Sequence, residues 1–260
     1  MLHSTKSFAV HLGALAAVVS GLWLSPAAAE AALLLSPSGS DTVVFASGED
    51  DEASAPVSIG FGFEFYGTSQ SQVYINTNGS LTFGAGDPFT TFDTFPGAVA
   101  PNTVRIAPFL DDLVVSAGGD IRYNNSQAGV FAVTWNNLGI VDQSDNSVSA
   151  QALLLGSGNP YGFAAGTILF SYGTVSDASA FLSAGLDAGD SSAVAVLPFA
   201  DDNGVFSRTQ ALGLQDRLFA FTPSGNGYAV TEIPEPASTA GVAALALGGL
   251  LVRHRRLGRG

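Results

Sequence analysis

Apolar residues alternate with Gly, Ser and Thr through most of this chain, and turn-forming clusters recur about every ten residues. That is the pattern of many short strands rather than helices. Residues 58–66 show it most clearly: Ile59, Phe61, Phe63 and Phe65 share one face, with Gly60, Gly62 and Glu64 on the other. Val73 and Ile75 alternate likewise, Asn76-Thr77-Asn78-Gly79 supplies residues that tolerate positive φ, and Leu81 and Phe83 resume the pattern, which predicts a hairpin. Further strands are expected over 120–123, 129–135, 149–155, 167–172, 180–186 and 217–222, each bounded by Gly, Asn, Asp or Pro. No amphipathic helix of useful length occurs between 30 and 233, so any helix there should be short. The expected fold is all-β, an antiparallel β-sandwich over 57–222, preceded by an N-terminal segment over 30–56. Residues 49–52 read as an exposed acidic loop, and 223–233 as a linker and tether.

The two ends break this pattern. Lys6, an apolar run over 12–24 and Pro26-Ala27-Ala28-Ala29 have the order of a signal peptide over 1–29, with Ala27 and Ala29 as the small residues signal peptidase prefers. The mature chain is expected to begin near Glu30, or after Ala31. At the other end, Pro234-Glu235-Pro236 precedes an apolar stretch over 237–252 and then Arg253, Arg255, Arg256 and Arg259. An apolar segment closed by positive charge is expected to sit as a transmembrane helix with its basic end in the cytoplasm. At sixteen residues it is shorter than the roughly 20 that span a bilayer comfortably, which suits a processing signal. A core helix with a basic cap is the plainer alternative, but no polar position at helical period follows Thr239.

Charge sharpens the division. Between 30 and 233 the bases are Arg105, Arg122, Arg208 and Arg217, against 21 of the chain's 22 acids, a net of about −17. Such a surface repels nucleic acid and anionic lipid, and tolerates calcium, neutral glycans or basic partners. The chain has no cysteine, so burial and not disulfides must hold the exported segment together.

Composition also excludes most catalysis. His3, His11 and His254 all lie in the terminal segments, so 30–233 holds no histidine, cysteine or lysine. Ser-His-Asp triads, thiolate nucleophiles, Schiff bases and the usual zinc ligand sets are excluded there. Carboxylate pairs remain, Asp111-Asp112, Asp201-Asp202 and the 49–52 run, and a glycosidase needs two carboxyls flanking a bond. Neighbours on a strand point to opposite faces, so neither Asp pair forms such a dyad alone. Asp111 with a distant partner stays open. Its plainer role is hydrogen bonding to nearby backbone. For calcium, the candidates are Asp142, Asp145 and Asn146 in one loop and Asp201-Asp202-Asn203-Gly204. Neither has EF-hand spacing, and both read first as turns.

Two aromatic sets complete the candidates. Trp135 follows Phe131 and Val133 at period two and is expected in the core. Tyr66, Tyr74 and Tyr123 are expected opposite the apolar faces, where with Asp111 and Asp112 they could contact a ligand such as a sugar. Asn78-Gly79-Ser80 and Asn124-Asn125-Ser126 have the acceptor pattern for glycosylation, the first being explained by its turn.

Two resemblances follow. The C-terminal order of Pro234-Glu235-Pro236, apolar segment and arginines resembles the PEP-CTERM sorting signal of exopolysaccharide-producing Gram-negative bacteria, which implies recognition by exosortase. Phe61-Gly62-Phe63-Glu64-Phe65-Tyr66-Gly67, the 73–84 segment and Ile106-Ala107-Pro108-Phe109-Leu110-Asp111-Asp112 look like the opening of the nidogen-like (NIDO) extracellular domain. Fragments over 133–139, 149–154 and 168–173 echo its later part. Leu110 stands where that family often has an aromatic residue, and no cysteine-rich module accompanies the domain. The resemblances imply a non-catalytic surface or extracellular-matrix protein. Its expected setting is cell-matrix adhesion or exopolysaccharide and biofilm organisation, with a matrix component as partner. The alternatives are a carboxylate-dependent glycan hydrolase and a self-assembling coat protein.

Overall fold

The computed structural model describes residues 33–87, 104–143, 147–179, 182–189, 194–198, 200 and 205–234. The expected signal peptide with Ala27 and Ala29, the expected sorting residues Glu235 and Pro236 and the four terminal arginines lie outside them. No helix among the described residues is long and apolar enough to cross a membrane.

The described chain is all-β, in two antiparallel sheets. The strands are β1 (Thr42–Phe45), β2 (Val57–Phe65), β3 (Thr68–Asn76), β4 (Ser80–Phe83), β5 (Val104–Leu110), β6 (Leu113–Val114) and β7 (Asp120–Asn124). They continue with β8 (Val130–Ile140), β9 (Val148–Leu155), β10 (Ile168–Val175), β11 (Ser183–Asp187), β12 (Val194–Val196), β13 (Leu218–Ser224) and β14 (Gly227–Ile233). One short helix, α1 (Arg208–Leu212), opens on a capping box in which Ser207 and Gln210 satisfy each other's backbone amides. The larger sheet runs β1-β7-β8-β9-β10-β13-β14 with β6 on β8, and the smaller runs β12-β11-β5-β4-β3-β2.

A common core joins the sheets in a sandwich-like arrangement. Ile59, Phe63, Phe65, Ile75, Leu81 and Phe109 of the smaller sheet share one buried cluster with Ile121, Phe131, Trp135, Phe170 and Phe221 of the larger. Two buried side chains cross between the sheets as hydrogen-bond donors: Trp135 Nε1 to the Asn76 carbonyl at 2.9 Å, and Tyr172 Oη to the Pro108 carbonyl at 2.7 Å. Trp135 is thus a core residue, as its period-two spacing predicts.

The larger sheet is buried on its second face as well. Val130, Ala132, Leu153, Leu155, Leu169, Leu218 and Ala220 form a separate cluster, against which Leu34, Leu35, Tyr161 and Phe163 pack. This explains the unbroken apolar runs at 152–155 and 168–170, since a strand covered on both sides has no polar face to alternate with. The 33–38 segment is held there by polar contacts. Leu34 N donates to Ser171 Oγ, and the Gln151 amide accepts from Leu35 N and donates to Leu35 O.

Three elements depart from the sequence reading. β5 is a central strand although Pro108 interrupts it. The β5–β11 register shifts between Ser183 and Gly185, so the proline falls at an irregularity where no ladder hydrogen bond is lost. The 49–52 segment is exposed at Asp50, Asp51 and Glu52, as expected of an acidic loop, but it is tethered. The backbone from Gly48 to Ser54 is pinned to Val115 and to the end of β3 through Gly48 N–Val115 O, Thr77 N–Glu52 O and Ser54 N–Ile75 O. The expected linker at 223–233 is largely β14, paired with β13 along its whole length from Ser224↔Gly227 to Leu218↔Ile233. Gly225 and Asn226 are simply a hairpin turn.

The last correction carries a prediction. Tyr228 packs on Phe65 at 5.7 Å between ring centroids, and Ile233 is buried. Ending the chain after Thr222 strips both from the fold and exposes the β13 edge, for a loss of roughly 2–3 kcal/mol or more. Denaturant unfolding of chains ending at Thr222 and at Ile233 checks this, and equal midpoints would restore the linker reading.

Candidate functional site

The turn between β3 and β4 organises the acidic end of the fold. Asn76, Thr77, Asn78 and Ser80 are all buried. Each polar group is matched. Asn76 Nδ2 donates to Ser80 and Thr82, and Asn76 Oδ1 accepts from Asp87 N. Asn78 Oδ1 accepts from Leu113 N, and its Nδ2 donates to Asp51 Oδ1 at 3.1 Å. A buried Asn78 with both ends of its amide engaged is not a glycosylation acceptor.

That network brings together acids more than 60 residues apart in sequence. One carboxylate oxygen each from Asp50, Asp51 and Asp112 lies within 4.8 Å of the other two. Burial, then Asp51, pushes Asp50 above the usual carboxylate range; burial, then Asp51 and Asp50, does the same to Asp112. Asp112 Oδ1 is buried without a hydrogen-bond partner. Among the described residues no basic side chain answers this charge. The four arginines of the described residues pair elsewhere, Arg105 with Asp87, Arg122 with Asp120, Arg208 with Asp177 and Arg217 with Glu232. Three carboxylates with no neutralising cation are oxygen ligands of the kind a hard divalent ion takes. Of the residues expected to bind calcium, Asp142 adds repulsion at Asp112, while Asp145, Asn146 and 201–204 lie outside the described residues.

Asp111 is not part of this cluster. It is buried, Oδ1 accepts from Asp112 N and Oδ2 from Ser179 N, both at 2.9 Å. Burial pushes its carboxyl above the ordinary range against those hydrogen bonds. Asp177 adds to that rise, and it takes Ala178 N and Arg208 Nη2. Both carboxylates therefore bind backbone or arginine, the structural role that the sequence offered for Asp111.

The tyrosines fall in three places. Tyr74 is half-buried between Val73 and Ile75, on the face opposite those core residues, as expected. Tyr123 is not. It shares the core face of β7 with Ile121 and stacks on Phe131 at 5.8 Å. Its edge reaches a groove of about 390 Å³ lined also by Ser38, Asp41, Asn124, Gln127 and Thr134. Burial raises Asp41, but hydrogen bonds from Asn124 and Ser38 outweigh it and hold its carboxyl below the usual range. Tyr66 occupies the β2–β3 turn, wedged between Phe65 and Tyr228 at 4.7 and 5.1 Å. Sequence reasoning missed Tyr228 because its strand read as linker.

A family model described as NIDO related matches residues 28–223. No curated protein and no solved structure matches the chain.

Proposed function

We propose that this chain, which belongs to the NIDO-related family, is an exported surface or extracellular-matrix protein that acts by binding and not by chemistry. The family match over residues 28–223 carries the reading, because a NIDO-related domain fits an extracellular, adhesion-type module. Three features agree. Residues 30–233 lack histidine, cysteine and lysine, Asp111 is occupied by backbone amides, and the net charge of that segment suits a matrix of neutral glycan. In this proposal signal peptidase cuts after Ala29 and exosortase reads Pro234-Glu235-Pro236. The apolar segment over 237–252 holds the chain in the inner membrane only until then, and adhesion within an exopolysaccharide or biofilm matrix is the outcome. Intact mass and terminal peptide mapping of protein from membrane, cell surface and medium test it. A chain from near Glu30 to near Pro236 outside the cell is expected. A chain still ending at Gly260 in the inner membrane would overturn the sorting step.

A second reading, that calcium completes the module, is favoured by the orphaned Asp112 oxygen beside Asp50 and Asp51. Carboxylates whose pKa is raised by folding hold protons more tightly than in the unfolded chain. The cluster therefore costs stability as pH rises through the carboxylate range, and a bound cation reverses this. With an extracellular-type affinity, about 10 mM calcium contributes roughly 1.4 kcal/mol or more. The thermal midpoint should rise on adding calcium after chelation. In Asp51→Asn it should start higher, since Asn also suits the left-handed turn at φ 51°, and respond little to calcium. Equal calcium responses in the two proteins would remove the ion from the account.

A further inference from the structure

Two grooves lined by described residues are candidates for a glycan, and their hydrogen bonds separate them. In the Tyr123 groove the polar groups already hold the chain to itself. Asp41 accepts from Asn124 Nδ2, Ser38 N and Ser38 Oγ, Asn124 Oδ1 accepts from Ser126, and Gln151 is divided between Leu35 and Thr134. A sugar hydroxyl would have to displace those contacts. That groove is the seam where the 33–38 segment docks.

The second groove, about 240 Å³, lies where the β2–β3 and β13–β14 turns of the two sheets meet. Its aromatic wall is Tyr66 and Tyr228, set edge to face at 77°. The Glu64 carboxylate and the Asn226 amide flank it, both residues are exposed, and no hydrogen bond among the described residues engages either side-chain end. Gly227 lies 4.0 Å from the Tyr66 ring at the place where a Cβ would stand. The groove therefore keeps polar groups available beside aromatic surface, the combination a pyranose needs for stacking its C–H face and bonding its hydroxyls.

An independent feature singles out Tyr66. It sits at φ 45° and Gly67 at φ 77°, both central positions of a two-residue turn. That turn type favours Asn, Asp or Gly at its first position, and a bulky ring there is an outlier costing of order 1 kcal/mol. Packing on Phe65 supports the ring but does not require it at the turn, since Tyr228 covers the same Phe65. Strain at a residue bordering a groove points to a role in that groove.

We infer that the Tyr66–Tyr228 groove, with Glu64 and Asn226, is the module's contact for a neutral polysaccharide chain. This rests on the glycan-binding reading above. The protein recovered from its host is passed over beads carrying the extracellular polysaccharide washed from the producing cells. Tyr66→Asn, which suits the turn, should lower retention about tenfold, and Glu64→Gln, which alters only an exposed carboxylate, several-fold. Gln127→Ala in the other groove should leave retention unchanged. Glu64→Gln decides the matter if Tyr66→Asn lowers the thermal midpoint by more than a few degrees. Retention of Glu64→Gln and Tyr66→Asn at the unmodified level overturns this placement and leaves the binding reading standing. No retention of the unmodified chain overturns both.

Discussion

Gly79→Ala is expected to yield no folded protein. A Cβ at Gly79 would stand 1.7 Å from the Phe109 carbonyl oxygen and 2.7 Å from its carbon, and the backbone there is at φ +78°. Neither obstacle can move cheaply. Phe109 N donates to Gly79 O, so the β3–β4 turn and β5 are locked face to face, and Phe109 is fully buried in the core. The φ alone costs roughly 1 kcal/mol for alanine. The clash forces the turn off β5, breaks the Asn78–Leu113 contact and opens the acidic end, a loss that takes up much of the roughly 5–15 kcal/mol of a typical domain's stability. Gly118→Ala is the control: φ is +84°, yet nothing lies within 4 Å of the added carbon. Circular dichroism and soluble yield should separate the two, and a cooperative transition for Gly79→Ala near the unmodified midpoint would refute the packing described.

Trp135→Ala is the second large effect. The indole is fully buried and its Nε1 donates to the Asn76 carbonyl at the start of the buried turn. Removing a buried Trp costs about 3–5 kcal/mol, and the lost hydrogen bond to a buried carbonyl adds roughly 0.5–1.5. Trp135→Phe keeps much of the volume and loses the donor, so it should fall between. Chemical denaturation reads both, and an alanine variant within about 1 kcal/mol of the unmodified chain would mean that the sheets are not joined through this residue.

Most of the sheet was legible because the core faces alternate. Ile59, Phe63 and Phe65, or Val73 and Ile75, announce their strands at period two, and the Asn78-Gly79 turn announces its hairpin. What was hidden has identifiable causes. Pro108 masks β5, since a proline argues against a central strand unless an irregularity receives it. β14 was concealed by the Pro223 to Gly227 cluster, which has linker composition but forms a hairpin. Tyr123 was assigned to the wrong face, although Ile121 two residues earlier marks the core side. The meeting of Asp50 and Asp51 with Asp112 has no local signal at all. It depends on Thr77–Glu52 and Asn78–Leu113 contacts that only the folded turn creates.

The central claim is that this module binds matrix glycan without cleaving it. Incubating the full chain with the host's extracellular polysaccharide, and following both retention and newly formed reducing ends, tests it most directly. The account predicts retention with no reducing ends above the protein-free level. Reducing ends that accumulate with the unmodified chain and vanish with Asp111→Asn would contradict it and make the protein a hydrolase.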